Sequence, residues 1–162
     1  MSRNDFFDDA AGWAMMPADA LPENKKLFIY TDGASRNNPG EAGIGVVIKN
    51  ERGETVETIS EYLGIATNNV AEYTAVIRGL EAARKFKPDA VAFSLDSQLV
   101  VRQMMGEYKI KHPGLLPLFK QAQLLCRQLP GEKVTFRHIP REENSEADAL
   151  ANEAIDKKHK KG

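Results

Sequence analysis

The feature that most constrains the fold is a change of hydrophobic period near residue 68. Before it, three short β-rich runs (27–33, 43–50 and 55–64) are joined by a loop and a tight turn, which is typical of an antiparallel meander. After it, apolar residues recur at helical spacing and form one stripe: Tyr73, Val76, Ile77, Leu80 and Ala83. The change of period predicts strands first and a long helix next, with Asn68 or Asn69 as its N-cap.

The second half of the chain continues the alternation. The pattern predicts, in order, a buried-type strand (91–96), a short helix (97–106), a longer helix (115–129), a strand (131–139) and a final helix (144–158). A strand reached through a helical crossover runs parallel to its neighbour. The predicted order is therefore βββαβααβα, an α/β domain with a mixed five-stranded sheet flanked by helices.

Composition limits the class of protein. The 162 residues are 42% hydrophobic and 28% charged, which suits one globular domain. The net charge of −1 excludes a broad basic surface that would hold nucleic acid by charge alone. The single cysteine, Cys126, excludes an internal disulfide and a cysteine-based zinc site. With no apolar run long enough for a bilayer and no secretory pattern at the N-terminus, we expect a cytoplasmic monomer.

Three segments divide the chain. Residues 1–24 form an acidic N-terminal extension that reads as a loosely ordered tail. The alternative is a short arm that docks through Phe6 and Trp13. We expect the folded domain to cover 25–157 and the basic C-terminal tail to cover 158–162.

Four carboxylates have unusual positions. Asp32 and Asp96 each end an apolar strand, and strand ends are where α/β sheets place ligands. Glu72 and Asp148 border apolar residues of helices. Any one of them alone fits an ordinary solvated acid, but several half-buried carboxylates near one sheet edge would repel one another. Mg²⁺ or Mn²⁺ relieves that repulsion, and two such ions about 4 Å apart would stabilise an in-line displacement at phosphorus.

Four motifs carry a family resemblance. YTDGASRNNPGEAGIG, TNNVAEYTAVIRGLEAA, SLDSQLV and RHIPREENSEADALANEA occur in this order, in register with the predicted elements, over about residues 26–156. Together they resemble the type 1 ribonuclease H family, in the bacterial and archaeal-like form that lacks a basic, Trp-rich protrusion. The resemblance implies the ribonuclease H-like fold. It also implies an endonuclease that hydrolyses the RNA strand of RNA–DNA hybrids and leaves 5′-phosphate and 3′-hydroxyl ends.

The resemblance also implies roles for the four acids, which would hold two Mg²⁺ ions per site, with Mn²⁺ as a possible substitute. Asp32 would bridge both ions, Asp148 would hold the ion that activates water, and Glu72 and Asp96 would hold the ion at the leaving oxygen. His138 would assist proton movement or product release. From its residues alone, His138 fits equally well a strand-end histidine packed beside Phe136 or hydrogen-bonded to backbone.

Substrate contacts follow from the same resemblance. The positions that match sugar-, backbone- or phosphate-contacting residues are Ser35, Asn38, Thr67, Asn68, Asn69 and Gln98. Amides and hydroxyls suit a 2′-hydroxyl, which both donates and accepts. Asn38 also fits a turn before Pro39, and Asn68 and Asn69 also fit a helix cap; each position can serve both purposes. Arg141 reads as a solvated turn residue that could contact phosphate.

In place of the protrusion the chain has only a modest basic patch, Lys109, Lys111 and His112, beside Tyr108. This departure predicts weaker, salt-sensitive binding of the hybrid. Two other functions stay open: a non-catalytic binding module, and a nuclease of the same fold that prefers double-stranded RNA or DNA. Four intact acids argue against the first, because a binder has no use for a repulsive cluster.

Overall fold

The computed structural model describes residues 25–129 and 133–161 and contains the predicted order of elements. The five strands are β1 (Lys26–Ser35), β2 (Gly40–Lys49), β3 (Thr55–Ala66), β4 (Ala90–Leu95) and β5 (Val134–His138). The helices are α1 (Asn68–Arg84), α2 (Gln98–Met104), α3 (Leu116–Gln128) and α4 (Ser145–Lys161), with a 3₁₀ turn (Arg141–Asn144) before α4. The prediction βββαβααβα is confirmed.

The strands form one mixed sheet in the order β3-β2-β1-β4-β5. β1 pairs with β2 antiparallel and with β4 parallel, and β4 pairs with β5 parallel. The carboxyl ends of β1, β4 and β5 therefore meet at one edge of the sheet. Asp32 lies near this edge on β1, Asp96 directly follows β4, and His138 ends β5 opposite Leu95.

Side-chain alternation gives each face of the sheet its own helix. Ile44 of β2 clusters with Ala71 and Ala75 of α1 on one face. Its neighbour Gly45 points to the other face, where it meets the backbone of α4 at Ala147. The predicted stripe on α1 is buried in the main core.

Two glycines let these helices approach the sheet closely beside Asp32. A Cβ atom on Gly33 would lie 2.4 Å from the carbonyl carbon of Ala71, and one on Gly45 would lie 2.0 Å from the carbonyl oxygen of Ala147. Gly33 follows Asp32 in sequence, and Gly45 is paired with it across β1 and β2. The absence of side chains at these two positions thus brings Glu72 and Asp148, each next to a contacted residue, toward Asp32.

The predicted N-cap of α1, Asn68 or Asn69, is wrong by one or two residues. Thr67 is the cap, because its side-chain oxygen accepts a hydrogen bond from the backbone N–H of Val70 at 3.2 Å. Asn68 and Asn69 are instead the first residues of the helix.

The final helix extends beyond its predicted end at residue 158, because α4 continues to Lys161. Across the described ranges, every helix falls short of the length and apolar character that crossing a membrane requires. Residues 1–24, including Phe6 and Trp13, lie outside the described residues.

Candidate active site

Three of the four predicted acids converge on one point. One carboxylate oxygen from each of Asp32, Glu72 and Asp96 lies within 4.8 Å of the other two. Asp32 and Glu72 are only 5% and 8% exposed, whereas Asp96 is half-buried. Asp148, half-buried on α4, lies next to Asp32, and its charge and a hydrogen bond between the two carboxyl groups help to raise the pKa of Asp32. Asp32 is therefore the centre of the group.

The electrostatics of the cluster favour protonation when no cation is bound. Burial, the charge of Asp96 and the hydrogen bond with Asp148 raise the pKa of Asp32 to about 8, against a backbone hydrogen bond from Gly33 that lowers it. Burial and the charges of Asp32 and Asp96 raise the pKa of Glu72 well above its usual value. Such crowding is unfavourable for folding alone and is typical of functional sites.

Asn144 ties the Asp96 side of the cluster to the sheet. It is 1% exposed, and its Nδ2 donates a 2.9 Å hydrogen bond to the carbonyl of Thr31 on β1. Burial raises the pKa of Asp96, while the hydrogen bond from Asn144 and the positive charges of Arg141 and His138 lower it. Asn144 had no separate signal in the sequence, because an asparagine before a helix reads simply as a cap.

The cluster opens into a cavity of about 480 Å³. Its lining includes seven predicted site residues: Asp32, Ser35, Asn68, Asn69, Glu72, Asp96 and Asp148. The sequence interpretation missed three polar lining residues, which are Arg36, Ser97 and Asn152. Arg141, predicted as a solvated turn residue that could contact phosphate, is exposed and also lines the cavity. The missed residues lie one to four positions along the chain from predicted site residues. That closeness in sequence was the only signal that could have indicated them.

The other predicted site residues lie outside the lining of this cavity. Asn38 accepts a 2.9 Å hydrogen bond from the backbone N–H of Asn68 and so ties the β1–β2 loop to the start of α1. Thr67 caps α1, and the exposed Gln98 amide faces the guanidinium of Arg102. His138 is exposed at the end of β5. Ser35, within the lining, donates to the carbonyl of Ala66 at 2.6 Å.

Known proteins resemble this chain in both sequence and fold. A family described as reverse transcriptase-like matches residues 30–154. A ribonuclease H of Chlorobium luteolum is 35% identical over 150 residues, which cover 83% of this chain and 98% of that protein. The crystal structure of LC11 ribonuclease H1 in complex with an RNA/DNA hybrid is 48% identical, with a TM-score of 0.76 over 81% of this chain and 97% of that one. The chain belongs to the type 1 ribonuclease H family.

One relative in the ribonuclease H family is much longer. The N-terminal ribonuclease H domain of a Mycobacterium tuberculosis protein is 44% identical, with a TM-score of 0.77 over 80% of this chain and 98% of that domain structure. A bifunctional protein of the same species is 46% identical over 132 residues, which cover 81% of this chain and 36% of the relative. The chain therefore spans little more than a third of that curated relative.

The acids of this ribonuclease H domain fit a divalent cation. Glu72 Oε1 is buried without a hydrogen-bond partner, and it stands in a cluster whose other donors are carboxylate oxygens. Oxygen-only donors suit hard cations, and a cation would both pair the orphaned oxygen and offset the repulsion. The residues present are thus the right donor set for such an ion.

The raised pKa values predict an unusual pH dependence of stability in chelator. Asp32 has a pKa of about 8 in the folded protein and an ordinary value of 3.8 when unfolded, so between these limits the folded state binds more protons. The contribution of Asp32 to the free energy of unfolding should therefore be highest near pH 4 and fall as the pH rises toward 8. Urea unfolding in EDTA at pH 5, 6.5 and 8 measures this slope. Equal stability across that range would contradict the burial of a charged cluster.

Proposed function

We propose that this chain is a ribonuclease H enzyme that hydrolyses the RNA strand of RNA–DNA hybrids and leaves 5′-phosphate and 3′-hydroxyl ends. The observation that carries the proposal is the convergence of Asp32, Glu72 and Asp96 within 4.8 Å, on a chain of this family. The hybrid in the LC11 ribonuclease H1 structure supports the same class of substrate. We further propose that the chain works as a monomer in the cytoplasm.

Asp32, Glu72, Asp96 and Asp148 would hold Mg²⁺, with Mn²⁺ as a substitute. When bound as a pair, such ions supply charge stabilisation at the attacking and leaving oxygens of an in-line displacement at phosphorus. The protein contributes a rigid frame: β1 and β4 fix Asp32 and Asp96, and the close approach of the helices at Gly33 and Gly45 fixes the other two acids.

Substrate recognition would come from the polar rim of the cavity. Asn68 and Asn69 lie at the start of α1, and Ser35 lies at the end of β1; all three border the acids. Their amide and hydroxyl groups can donate to and accept from a ribose 2′-hydroxyl. In this proposal they identify the RNA strand, while Asn38 and Thr67 keep the start of α1 in place.

A second cavity, of about 490 Å³, supports a grip on the duplex without a protrusion. Asn69 belongs to the lining of both cavities, and the second is also lined by Tyr108, Lys109, Lys111 and His112. Cations beside an aromatic ring suit a phosphate backbone and its sugars. We propose that this surface holds the hybrid, with an affinity that falls as salt rises.

A substrate panel tests the proposal. End-labelled RNA–DNA hybrid, RNA duplex, DNA duplex and single-stranded RNA of one sequence are incubated with Mg²⁺, Mn²⁺ or EDTA. Cleavage of RNA in the hybrid alone, with either metal and not in EDTA, supports the proposal. Faster cleavage of another duplex favours the rival nuclease, and retention of uncut hybrid in a gel shift favours the binding module.

His138 provides a further prediction. It lies beside Leu95 at the end of β5, close enough to Asp96 for its positive charge to lower the pKa of that carboxyl. As an exposed imidazole it can exchange a proton at the edge of the site. His138→Ala should therefore lower kcat partially and leave the melting temperature unchanged, as measured by initial rates and thermal unfolding. Wild-type kcat in this variant would return His138 to a purely structural role.

A further inference from the structure

Asp148 differs from the other three acids in how it is held. The carboxylates that lie within 4.8 Å of one another belong to Asp32, Glu72 and Asp96, and Asp148 is outside that set. It stands on α4, a separate element on the opposite face from α1. Carboxylates that bind a cation are hydrogen-bond acceptors only, so Asp32 cannot orient the carboxylate of Asp148 by donating to it. The donor that orients the Asp148 carboxylate must be another group.

Asn152 is that group in this structure. One helical turn after Asp148, its Nδ2 donates to Asp148 Oδ1 at 3.3 Å and to the Asp148 carbonyl at 3.0 Å. An asparagine amide can rotate by half a turn and present its oxygen instead, which would repel the carboxylate. The useful orientation therefore needs a donor on the oxygen side of the amide.

Arg36 supplies this donor. Its Nη2 atom donates to Asn152 Oδ1 at 3.2 Å and forms an ion pair with Asp156 at 2.9 Å. A guanidinium has only hydrogen-bond donors. If the amide of Asn152 were rotated by half a turn, its nitrogen, also a donor, would face the guanidinium without a hydrogen bond. Arg36 follows the end of β1, whereas Asn152 and Asp156 lie on α4, so the contact joins the two elements that carry Asp32 and Asp148.

We propose that Arg36 and Asn152 are positioning residues for Asp148: Arg36 fixes the amide of Asn152, and the amide orients the carboxylate. The inference rests on the proposed function, because it assigns Asp148 a role in holding the cation. Arg36 lines the same cavity and could instead contact a substrate phosphate directly. If Arg36 positions Asp148, the effect of removing Arg36 depends on the presence of Asn152. If Arg36 contacts a phosphate directly, that effect is independent of Asn152.

A double-mutant cycle separates these roles. Arg36→Ala, Asn152→Ala and the double variant are compared with wild type for kcat, KM and Mn²⁺ affinity by titration calorimetry. Loss of a partner that orients a metal ligand lowers activity or metal affinity by about 10-fold or more. We expect about that loss in kcat and in Mn²⁺ affinity for each single variant, no greater loss in the double variant, and unchanged KM.

Arg78→Ala removes a comparably exposed arginine that pairs with Glu61 away from the cavity. This variant should keep the wild-type kcat, KM and Mn²⁺ affinity. Multiplied losses in the double variant, or a raised KM with intact Mn²⁺ affinity after Arg36→Ala, would overturn the proposal. If the wild type binds Mn²⁺ but cleaves no hybrid, the proposed function fails, while the Mn²⁺ affinities still decide whether Arg36 and Asn152 position Asp148.

Discussion

Asp32→Asn should remove hybrid cleavage by more than about 10³-fold and, in the same protein, raise stability at pH 8 in chelator. The activity falls because the amide offers one oxygen and no charge at the centre of the carboxylate cluster. The stability rises because a neutral group replaces a 5%-exposed acid whose pKa is raised to about 8. Asparagine has nearly the same shape, so the fold is kept.

In this one variant, hybrid cleavage should fall while the free energy of unfolding at pH 8 rises. Rates are measured on hybrid with Mg²⁺, and urea unfolding is measured in EDTA at pH 5 and pH 8. Glu81→Gln is the matched control, since it makes the same chemical change at an exposed glutamate of α1 that pairs with Arg78. Wild-type turnover by Asp32→Asn would show that Asp32 is not needed for cleavage. Loss of activity through unfolding would show that the fold is not kept and that the missing charge is not the cause.

Gly45→Ala should destabilise the fold strongly, with a loss of about 3 kcal/mol of stability. The new Cβ would lie 2.0 Å from the carbonyl oxygen of Ala147 and 2.8 Å from the backbone nitrogen of Ala151. Both are backbone atoms, so α4 has to move away from the sheet. Because Asp148 follows Ala147, the same movement separates Asp148 from Asp32 and should lower cleavage even where the protein is fully folded.

Gly114→Ala is the matched control for this substitution. Its Cβ would meet only the ring of the exposed His112 at 3.1 Å. Moving that ring lengthens its 3.0 Å hydrogen bond from the Gly114 N–H, which water can replace at the surface. The expected change in stability is within about 0.5 kcal/mol. Urea unfolding gives the stabilities, and rates at a temperature where all variants are folded give the activities. A Gly45→Ala protein with wild-type stability and rate would show that the close approach of α4 is unimportant.

The fold was accessible from the sequence because its signals are local and strong. The stripe from Tyr73 to Ala83 predicts α1, and the apolar runs before Asp32 and Asp96 predict β1 and β4. The N-cap was misplaced by one or two residues because Thr67, Asn68 and Asn69 are all good capping residues, and only the hydrogen bond to Val70 distinguishes them.

The acids were predicted from motif positions, but their arrangement was not accessible. That Asp148 lies next to Asp32 but outside the set of three acids within 4.8 Å of one another depends on how closely α4 approaches Gly45. The contact between Arg36 and Asn152 joins residues 116 positions apart, and neither type of residue is unusual in a polar loop or on a helix. Long-range polar contacts of this kind leave no periodic signal in one sequence.

The most direct test of the central claim is cleavage of one end-labelled RNA–DNA hybrid by the wild type and by Asp96→Asn. We expect RNA fragments that form with Mg²⁺, carry 3′-hydroxyl ends that a polymerase can extend, and disappear with EDTA or in the variant. A wild-type protein that binds the hybrid and leaves it uncut with Mg²⁺ and with Mn²⁺ would rule out the proposed activity.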